Sequence, residues 1–481
     1  MGIRTGAQYL NALQDNREVW HRGERVEDVT TTPGLQRGAH TLASYLDRQN
    51  EPSTLDELTF CESDGTERYA MSFLTPRSRD DVAKRGRAYY TWAKWSNGMF
   101  GRTPDYKNAS VMAFAGAAEF LNDGARGEQF AENMRRYYRD ARQNDWVLTH
   151  TLVNPQFNHA LAAQGKASPE VALRVERETD SGIVVSGARL LATLGPHADE
   201  LEVFPSTLLK ASADNTPYAC AFAIPIATPG LRLICRDTYD EGKSTFDAPL
   251  SSRYEEMDAV IVFENVLVPW ERVFMYANPL LCNQAFAKTN AVVHMMHQVA
   301  CGKLAKAEFI VGLLCAMAMA SGKDKDINVK AQIAEAMWVA ESVRAFLFSA
   351  EQQAEPDEWG MFIPQRRPID TCRNIFPKLY PRLIEIVQLL GSSSLMATPC
   401  EADFSNGIGP DVQKYFQLAN LDSKDRVALF RLAQDLAVSG FGNRQTLYER
   451  FFFGPQNLMA AGYFDLYNKD EMMDRVTSLL A

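Results

Sequence analysis

Gly182-Ile-Val-Val-Ser-Gly-Ala-Arg-Leu-Leu-Ala-Thr193 is the stretch on which the fold turns. It sets two β-rich runs around Ser186-Gly187, the signature of a β-hairpin. Strand-length segments follow at Leu201 to Leu209, Tyr218 to Pro225, Leu231 to Cys235 and Ala259 to Phe263, with Pro-Gly and Asp-containing turns between them. They predict one small antiparallel barrel or sandwich.

On both sides the period is helical. Upstream, Asp81 to Trp95 carries Val82, Tyr89, Trp92 and Ala93 at helix spacing, with Asp80 placed to cap it, and Phe130 to Ala141 is a second amphipathic segment. Downstream of Val266-Leu-Val-Pro-Trp-Glu-Arg272 come Ala285 to Ser321, Asn328 to Ala354, Phe376 to Leu390 and Ser423 to Val438, with termini marked by Gly322, Gly391 and Gly440. Long apolar-striped helices in that number make a four-helix bundle. The expected fold is α+β, with an N-terminal helical domain over 1–149, a central antiparallel β-barrel over 150–274 and a C-terminal bundle over 275–481. This order resembles the acyl-CoA dehydrogenase architecture, in which a flavin lies where the three parts meet.

Length and charge narrow the function. A chain of 481 residues exceeds one ordinary core and buries a large apolar interior without staples. Its formal charge of -10, with no long basic run, argues against nucleic acid or an anionic membrane as partner. The start, Met1-Gly-Ile-Arg-Thr-Gly6, lacks the apolar stretch of a signal peptide, and the longest apolar run, Phe309 to Ala320, falls short of the ~18 residues that span a bilayer. A cytoplasmic protein is expected. The eight cysteines show no Cys-x-x-Cys and read as reduced core thiols, and His294 and His297, about one helical turn apart, read as core residues rather than metal ligands; no metal is expected. Neither a dinucleotide Gly-x-Gly-x-x-Gly nor a phosphate-binding Gly-x-x-x-x-Gly-Lys occurs.

Chemistry concentrates in two clusters. Gly98-Met-Phe-Gly-Arg-Thr-Pro-Asp-Tyr106 places Arg102 and Tyr106 four apart where Pro104 can open a helix, and Thr149-His150-Thr151-Leu152-Val-Asn154-Pro155-Gln156 adds a histidine. A permanent cation, a phenol that donates or accepts, and a histidine titrating near pH 7 suit a substrate hydroxyl that must become an oxyanion.

These clusters, with Asp247-Ala-Pro-Leu-Ser-Ser-Arg253, Val266 to Glu271 and Ser439-Gly-Phe-Gly-Asn-Arg-Gln-Thr-Leu-Tyr-Glu449, resemble the 4-hydroxyphenylacetate 3-monooxygenase oxygenase family, and the match runs from Thr5-Gly6 to the C-terminal helices. The resemblance implies a two-component system. A separate NAD(P)H-linked reductase supplies FADH2, which reacts with oxygen to give a flavin C4a-hydroperoxide, and a para-substituted phenol is hydroxylated beside its hydroxyl. By that resemblance Arg102, Tyr106 and His150 surround the phenol oxygen, and Ser206 and Thr207 receive the far end of the substrate. His150, Thr151, Leu152, Gln156, Phe157, Asn158, His159 and Thr193 meet the flavin, as do Pro455, Gln456, Asn457 and Leu458, the last four from a neighbouring subunit of a homotetramer. 4-Hydroxyphenylacetate is the favoured substrate, with 4-nitrophenol, chlorophenol and phenylpropanoid hydroxylases as alternatives; FADH2 and FMNH2 are not separated. A 4-hydroxybutyryl-CoA dehydratase-like flavoprotein shares the architecture and the look of His294-x6-Cys301, but needs cluster cysteines where this chain, from 62 to 219, has none. An acyl-CoA dehydrogenase and a non-catalytic flavin-storage assembly are the remaining rivals.

Overall fold

Strands come from most of the first 276 residues. Those of the two larger sheets are, in chain order, β1 (Glu18–His21), β2 (Glu24–Val26), β3 (Leu148–Thr151), β4 (Arg174–Thr179), β5 (Gly182–Thr193), β6 (Glu200–Val203), β7 (Cys220–Pro225), β8 (Leu231–Cys235), β9 (Asp258–Pro269) and β10 (Val273–Tyr276). The computed structural model describes residues 2–63, 65–122, 126–155, 160, 171–205, 210 and 212–480.

Gly182–Thr193 is one strand, not a hairpin. The turn lies one element earlier, at Asp180-Ser181, where Thr179 of β4 faces Gly182 of β5. Arg-Val-Glu-Arg-Glu-Thr is too charged to announce a strand. Gly187 does not reverse the chain; at φ +116 it lets the backbone of Ala172 approach, so that a Cβ there would stand 2.4 Å from the Ala172 carbonyl oxygen.

One six-stranded sheet has the order β2-β1-β8-β9-β5-β4, and a four-stranded sheet the order β10-β7-β6-β3. They share a core to which Val19, Val185 and Ile261 contribute from the first and Leu201, Phe222 and Val273 from the second. The all-antiparallel expectation is corrected, because β1 lies parallel to β8 and β3 parallel to β6. Both parallel partners are far apart in sequence, which leaves room for the crossover that parallel pairing demands. The stretch read as wholly helical thus lends β1 and β2 to the larger sheet.

The principal helices are α1 (Gln36–Gln49), α2 (Arg79–Trp95), α3 (Pro104–Gly116), α4 (Gly127–Asn144), α5 (Pro279–Lys288), α6 (Ala291–Ala320), α7 (Ile327–Gln352), α8 (Arg366–Gly391), α9 (Ser423–Ala437), α10 (Gly440–Phe451) and α11 (Gln456–Leu466). Ser78, not Asp80, caps α2 by accepting from the Asp81 amide. The helix expected from 285 is split by Asn290 in the left-handed region at φ 53. α8 runs through Pro377 and Pro381, although prolines disrupt helix interiors, because Ile369, Phe376, Tyr380, Leu383 and Val387 bury one continuous face against the bundle. α6, α7, α8 and α9 share that bundle core.

α3 belongs to both layers. It is buried all round from Pro104 to Phe114, with Tyr106 and Ala109 in the bundle core and Val111 to Phe114 in a third core shared with α4, β3, β7 and β10. Its first turn therefore opens where bundle and sheets meet.

Candidate active site

The loop entering α3 is pressed against the bundle. Gly98, at φ +68, lies so close to α6 that a Cβ would stand 2.5 Å from the Gly302 carbonyl oxygen, and one on Gly101 would stand 2.5 Å from the Tyr448 hydroxyl. The Arg102 amide donates to Glu256. Arg444 clamps Glu256 at 2.9 Å and forks onto Asp258 at 2.9 and 3.0 Å, so the backbone at Arg102 hangs on a buried ionic network.

From that anchor the Arg102 guanidinium reaches into an aromatic box, 4.1 Å from the Phe452 ring centroid, 4.3 Å from that of Tyr106 and 5.8 Å from that of Tyr448. Its Nη1 is buried without a hydrogen-bond partner among the described residues. Burial works against the charge, but Tyr106, Tyr448 and Glu256 outweigh it and the group stays cationic. The Tyr106 ring stands 5.8 Å from the His150 ring. Burial pushes the Tyr106 hydroxyl up, against the pull of Arg102, so it remains a protonated donor.

The trio is thus brought together, with one correction. His150 does not titrate near neutrality: burial, then the Lys107 and Arg102 charges, hold it well below its usual range, and it is a neutral imidazole.

The other expected residues divide. Gln156, Phe157, Asn158, His159, Ser206 and Thr207 lie outside the described residues. Thr151 is fully buried, and its hydroxyl has no partner among the described residues. The Leu152 carbonyl accepts from Arg189 at 3.0 Å. The Thr193 hydroxyl donates to Asp258 at 2.7 Å, which ties it to the Arg444 network. Pro455, Gln456, Asn457 and Leu458 start α11, where no residue is buried. Gly440 to Asn443 form the first turn of α10, capped by Ser439.

Sequence reading missed Lys107, Glu202, Tyr448 and Phe452. Lys107 meets Glu202 at 2.8 Å in the interior, directly behind Tyr106 in sequence. A lysine inside an otherwise apolar buried helix is the signal that could have found it. His294 contacts Arg85 at 3.1 Å and His297 contacts Glu351 at 2.8 Å. Among the described residues no cluster of His, Cys, Asp and Glu could hold a metal ion. Of the cysteines, Cys220, Cys282, Cys301 and Cys372 are buried, while Cys61 is exposed.

Residues 5–275 match the family model for the 4-hydroxyphenylacetate 3-hydroxylase N terminal, and residues 282–481 that for its C terminal. The chain is 46% identical to the 4-hydroxyphenylacetate 3-monooxygenase oxygenase component of Thermus thermophilus, over 99% of this chain and 97% of that one. A 4-nitrophenol 2-monooxygenase oxygenase component from Rhodococcus sp is 32% identical over 94% and 86%. Among solved structures, an oxygenase component of 4-hydroxyphenylacetate 3-monooxygenase complexed with FAD and 4-hydroxyphenylacetate superposes with a TM-score of 0.94 at 46% identity, covering 99% of this chain and 98% of that one. An archaeal 4-hydroxybutyryl-CoA dehydratase shares the fold alone, at 16% identity and a TM-score of 0.88. The chain belongs to the 4-hydroxyphenylacetate 3-hydroxylase family, and its fold is that of the acyl-CoA dehydrogenase-like flavoproteins.

Proposed function

We propose that this chain is the oxygenase component of a two-component monooxygenase, hydroxylating a para-substituted phenol beside its hydroxyl with FADH2 delivered by a separate NAD(P)H-linked reductase. The favoured reaction is 4-hydroxyphenylacetate to 3,4-dihydroxyphenylacetate, as the names of its relatives suggest. The observation that carries the reading is the unpartnered Arg102 Nη1 held beside the Tyr106 hydroxyl and a neutral His150.

The donor set fits a flavin and a phenol. The Thr151 hydroxyl, next to His150 in sequence but on the opposite face of β3 and unpaired among the described residues, is a donor that an isoalloxazine carbonyl or ring nitrogen would suit, and the free Arg102 nitrogen suits a phenolate oxygen. When bound, reduced FAD supplies the electrons that activate dioxygen. Arg102 holds the phenol oxygen as it gains negative charge, and Tyr106 donates to the same oxygen. The neutral His150 imidazole accepts the phenol proton at its free nitrogen. Charge thereby moves into the ring, making the ortho carbon nucleophilic.

Supplying reduced FAD, oxygen and a panel of para-substituted phenols tests the reading by product analysis. The expected product is the catechol, with 4-hydroxyphenylacetate turned over best; hydrogen peroxide with no hydroxylated phenol overturns it. Preference for 4-nitrophenol instead supports the reading suggested by the Rhodococcus relative. The absence of a nicotinamide fingerprint fits a chain that does not oxidise NADH alone.

We also read the assembly as a homotetramer in the cytoplasm. Leu458, Phe464 and Leu466 of α11 are each more than half exposed, as are Trp338 and Phe348 of α7, a pattern that suits faces covered by other copies. Among the described residues no helix is long and apolar enough to cross a membrane. Light scattering of a strict monomer with full activity would contradict the tetramer.

A further inference from the structure

We infer that Lys107 and Glu202 form a buried positioning pair for the phenol site, with the ammonium standing behind Tyr106 and His150 so that the imidazole is kept as an acceptor. The inference deepens the phenol-hydroxylase reading and rests on it.

Lys107 follows Tyr106 on α3, and its Nζ lies 2.8 Å from Glu202 Oε2 with both side chains only 2% exposed. The same ammonium donates to Ser110 Oγ at 2.8 Å and stands 5.7 Å from the Phe204 ring centroid, which fixes its place. Glu202 is the register partner of His150 across the parallel β3 and β6 pair. Side chains alternate along a strand, so register partners project from the same face, which brings the Lys107 and Glu202 pair to the side of β3 that carries His150. The second carboxylate oxygen, Oε1, is buried with no partner among the described residues.

A pair of this kind is a poor stabiliser of a fold, since desolvating two ions offsets most of their attraction and an apolar pair often serves as well. Its location gives it a different use. The groups facing His150 are Arg102 from the loop, Tyr106 and Lys107 from α3 and Glu202 from β6. Arg102 is committed to the phenol oxygen; Lys107 is the second cation, and Glu202, accepting from it, counters the burial that draws its proton affinity down. Together the two cations oppose a proton on His150 until the phenol delivers one.

The direct test is ring-carbon NMR of the full-length, histidine-labelled protein across pH, with the His150 signal assigned through His150→Gln. In Lys107→Met the His150 midpoint is expected to rise by about one pH unit or more, while Lys107→Arg, which keeps the charge, stays near wild type. If Lys107→Met leaves Glu202 too costly to bury, Lys107→Gln, whose amide can still donate to Glu202, removes the positive charge and carries the same readout. A folded variant, checked by its Tm, whose His150 titrates as in wild type overturns the inference. This measurement needs neither flavin nor phenol, so it separates from the functional reading. A shifted His150 in a protein that hydroxylates no phenol leaves the pair standing and sinks the hydroxylase, and the reverse result sinks only the pair. With 4-nitrophenol as probe, its yellow anion should form at higher pH when bound to Lys107→Met than to wild type.

Discussion

The guanidinium carbon of Arg102 stands 4.3 Å from the centroid of the Tyr106 ring, one helical turn further on, and only 4.1 Å from that of Phe452. Cation–π contacts of this kind hold the side chain by ~0.5–2 kcal/mol each without consuming its N–H groups. The charge is therefore fixed in place before any substrate arrives, which is the condition for electrostatic preorganisation.

Arg102→Ala should consequently lose roughly 10²-fold or more in hydroxylation, the scale seen on removing one oxyanion partner. Oxygen should still be consumed, and more of it should leave as hydrogen peroxide. Tyr106→Phe removes one hydrogen bond and keeps the ring, so its loss should be smaller, on the order of 1 kcal/mol. The check is the ratio of catechol to hydrogen peroxide in single turnovers with supplied reduced FAD; unchanged coupling in both Arg102→Ala and His150→Ala would mean the phenol binds elsewhere.

His294 and His197 are buried and His150 is half-buried, all three in neutral forms, each held below the usual histidine range first by desolvation and then by nearby cations, His197 to about 4. An unfolded histidine takes up a proton near pH 6.5, so the unfolded state binds more protons below that point. The stability these groups contribute is present above ~6.5 and is lost as pH falls toward the folded values. Tm should drop between pH 7 and 4.5, and His197→Gln should make the drop shallower by up to one proton's worth of slope. An identical pH dependence in that variant sinks the assignment.

The helical periods and the family motifs were legible because α2, α4 and α9 each carry one apolar stripe, and because Arg102, Tyr106 and His150 are polar types at unusual places. What escaped depends on neighbours distant in sequence. β4 looks like a charged surface segment until β5 supplies its partner, and α8, expected only from Phe376, begins ten residues earlier at Arg366, where Ile369 and Cys372 join the bundle core. The Lys107 and Glu202 contact spans 95 positions, and β6 must lie parallel to β3 for it to reach the site. His150 was legible as a residue but not as a neutral one, since its charge state follows from burial and from Lys107.

Asp105, beside Tyr106 in sequence, is buried, and burial takes its carboxyl up to about 7 against the hydrogen bonds from Thr103 and Gln298. Its Oδ1 accepts from Gln298 Nε2 at 3.1 Å, while Asp105 Oδ2 and Gln298 Oε1 both lack partners, as suits a protonated acid facing an amide. With the folded value raised above the unfolded ~3.9, the stability it contributes is complete below the unfolded value and is lost as pH rises through 7. Asp105→Asn cannot ionise, so wild type should lose more Tm than the variant between pH 5.5 and 8, by up to ~1.4 kcal/mol per pH unit in free energy. Parallel losses in the two proteins would refute the protonated acid.

Arg444 is the buried cation on which the site's backbone depends. Burial opposes ionisation of Asp258, yet Arg444 and then Arg236 outweigh it and take the carboxyl down to about 2. Glu256 joins Arg444 at 2.9 Å and, through its other oxygen, receives the Arg102 amide. Removing the guanidinium in Arg444→Met strands Glu256 and leaves Asp258 with Arg236 as its one cation, a change that costs about 3–5 kcal/mol where a buried pair is broken. Because the Asp258 value lies below that of the unfolded chain, the loss should be largest above pH ~4 and should shrink as acid protonates the stranded groups. The variant should also uncouple oxygen use from hydroxylation, since Arg102 loses the fixed carboxylate that orients its backbone. Denaturant unfolding at pH 7 and pH 4, set beside the catechol to peroxide ratio, reads both effects. A variant that is destabilised yet fully coupled would confine Arg444 to the fold and leave the Gly98 to Gly101 loop, packed against α6 and Tyr448, as the sole support of Arg102.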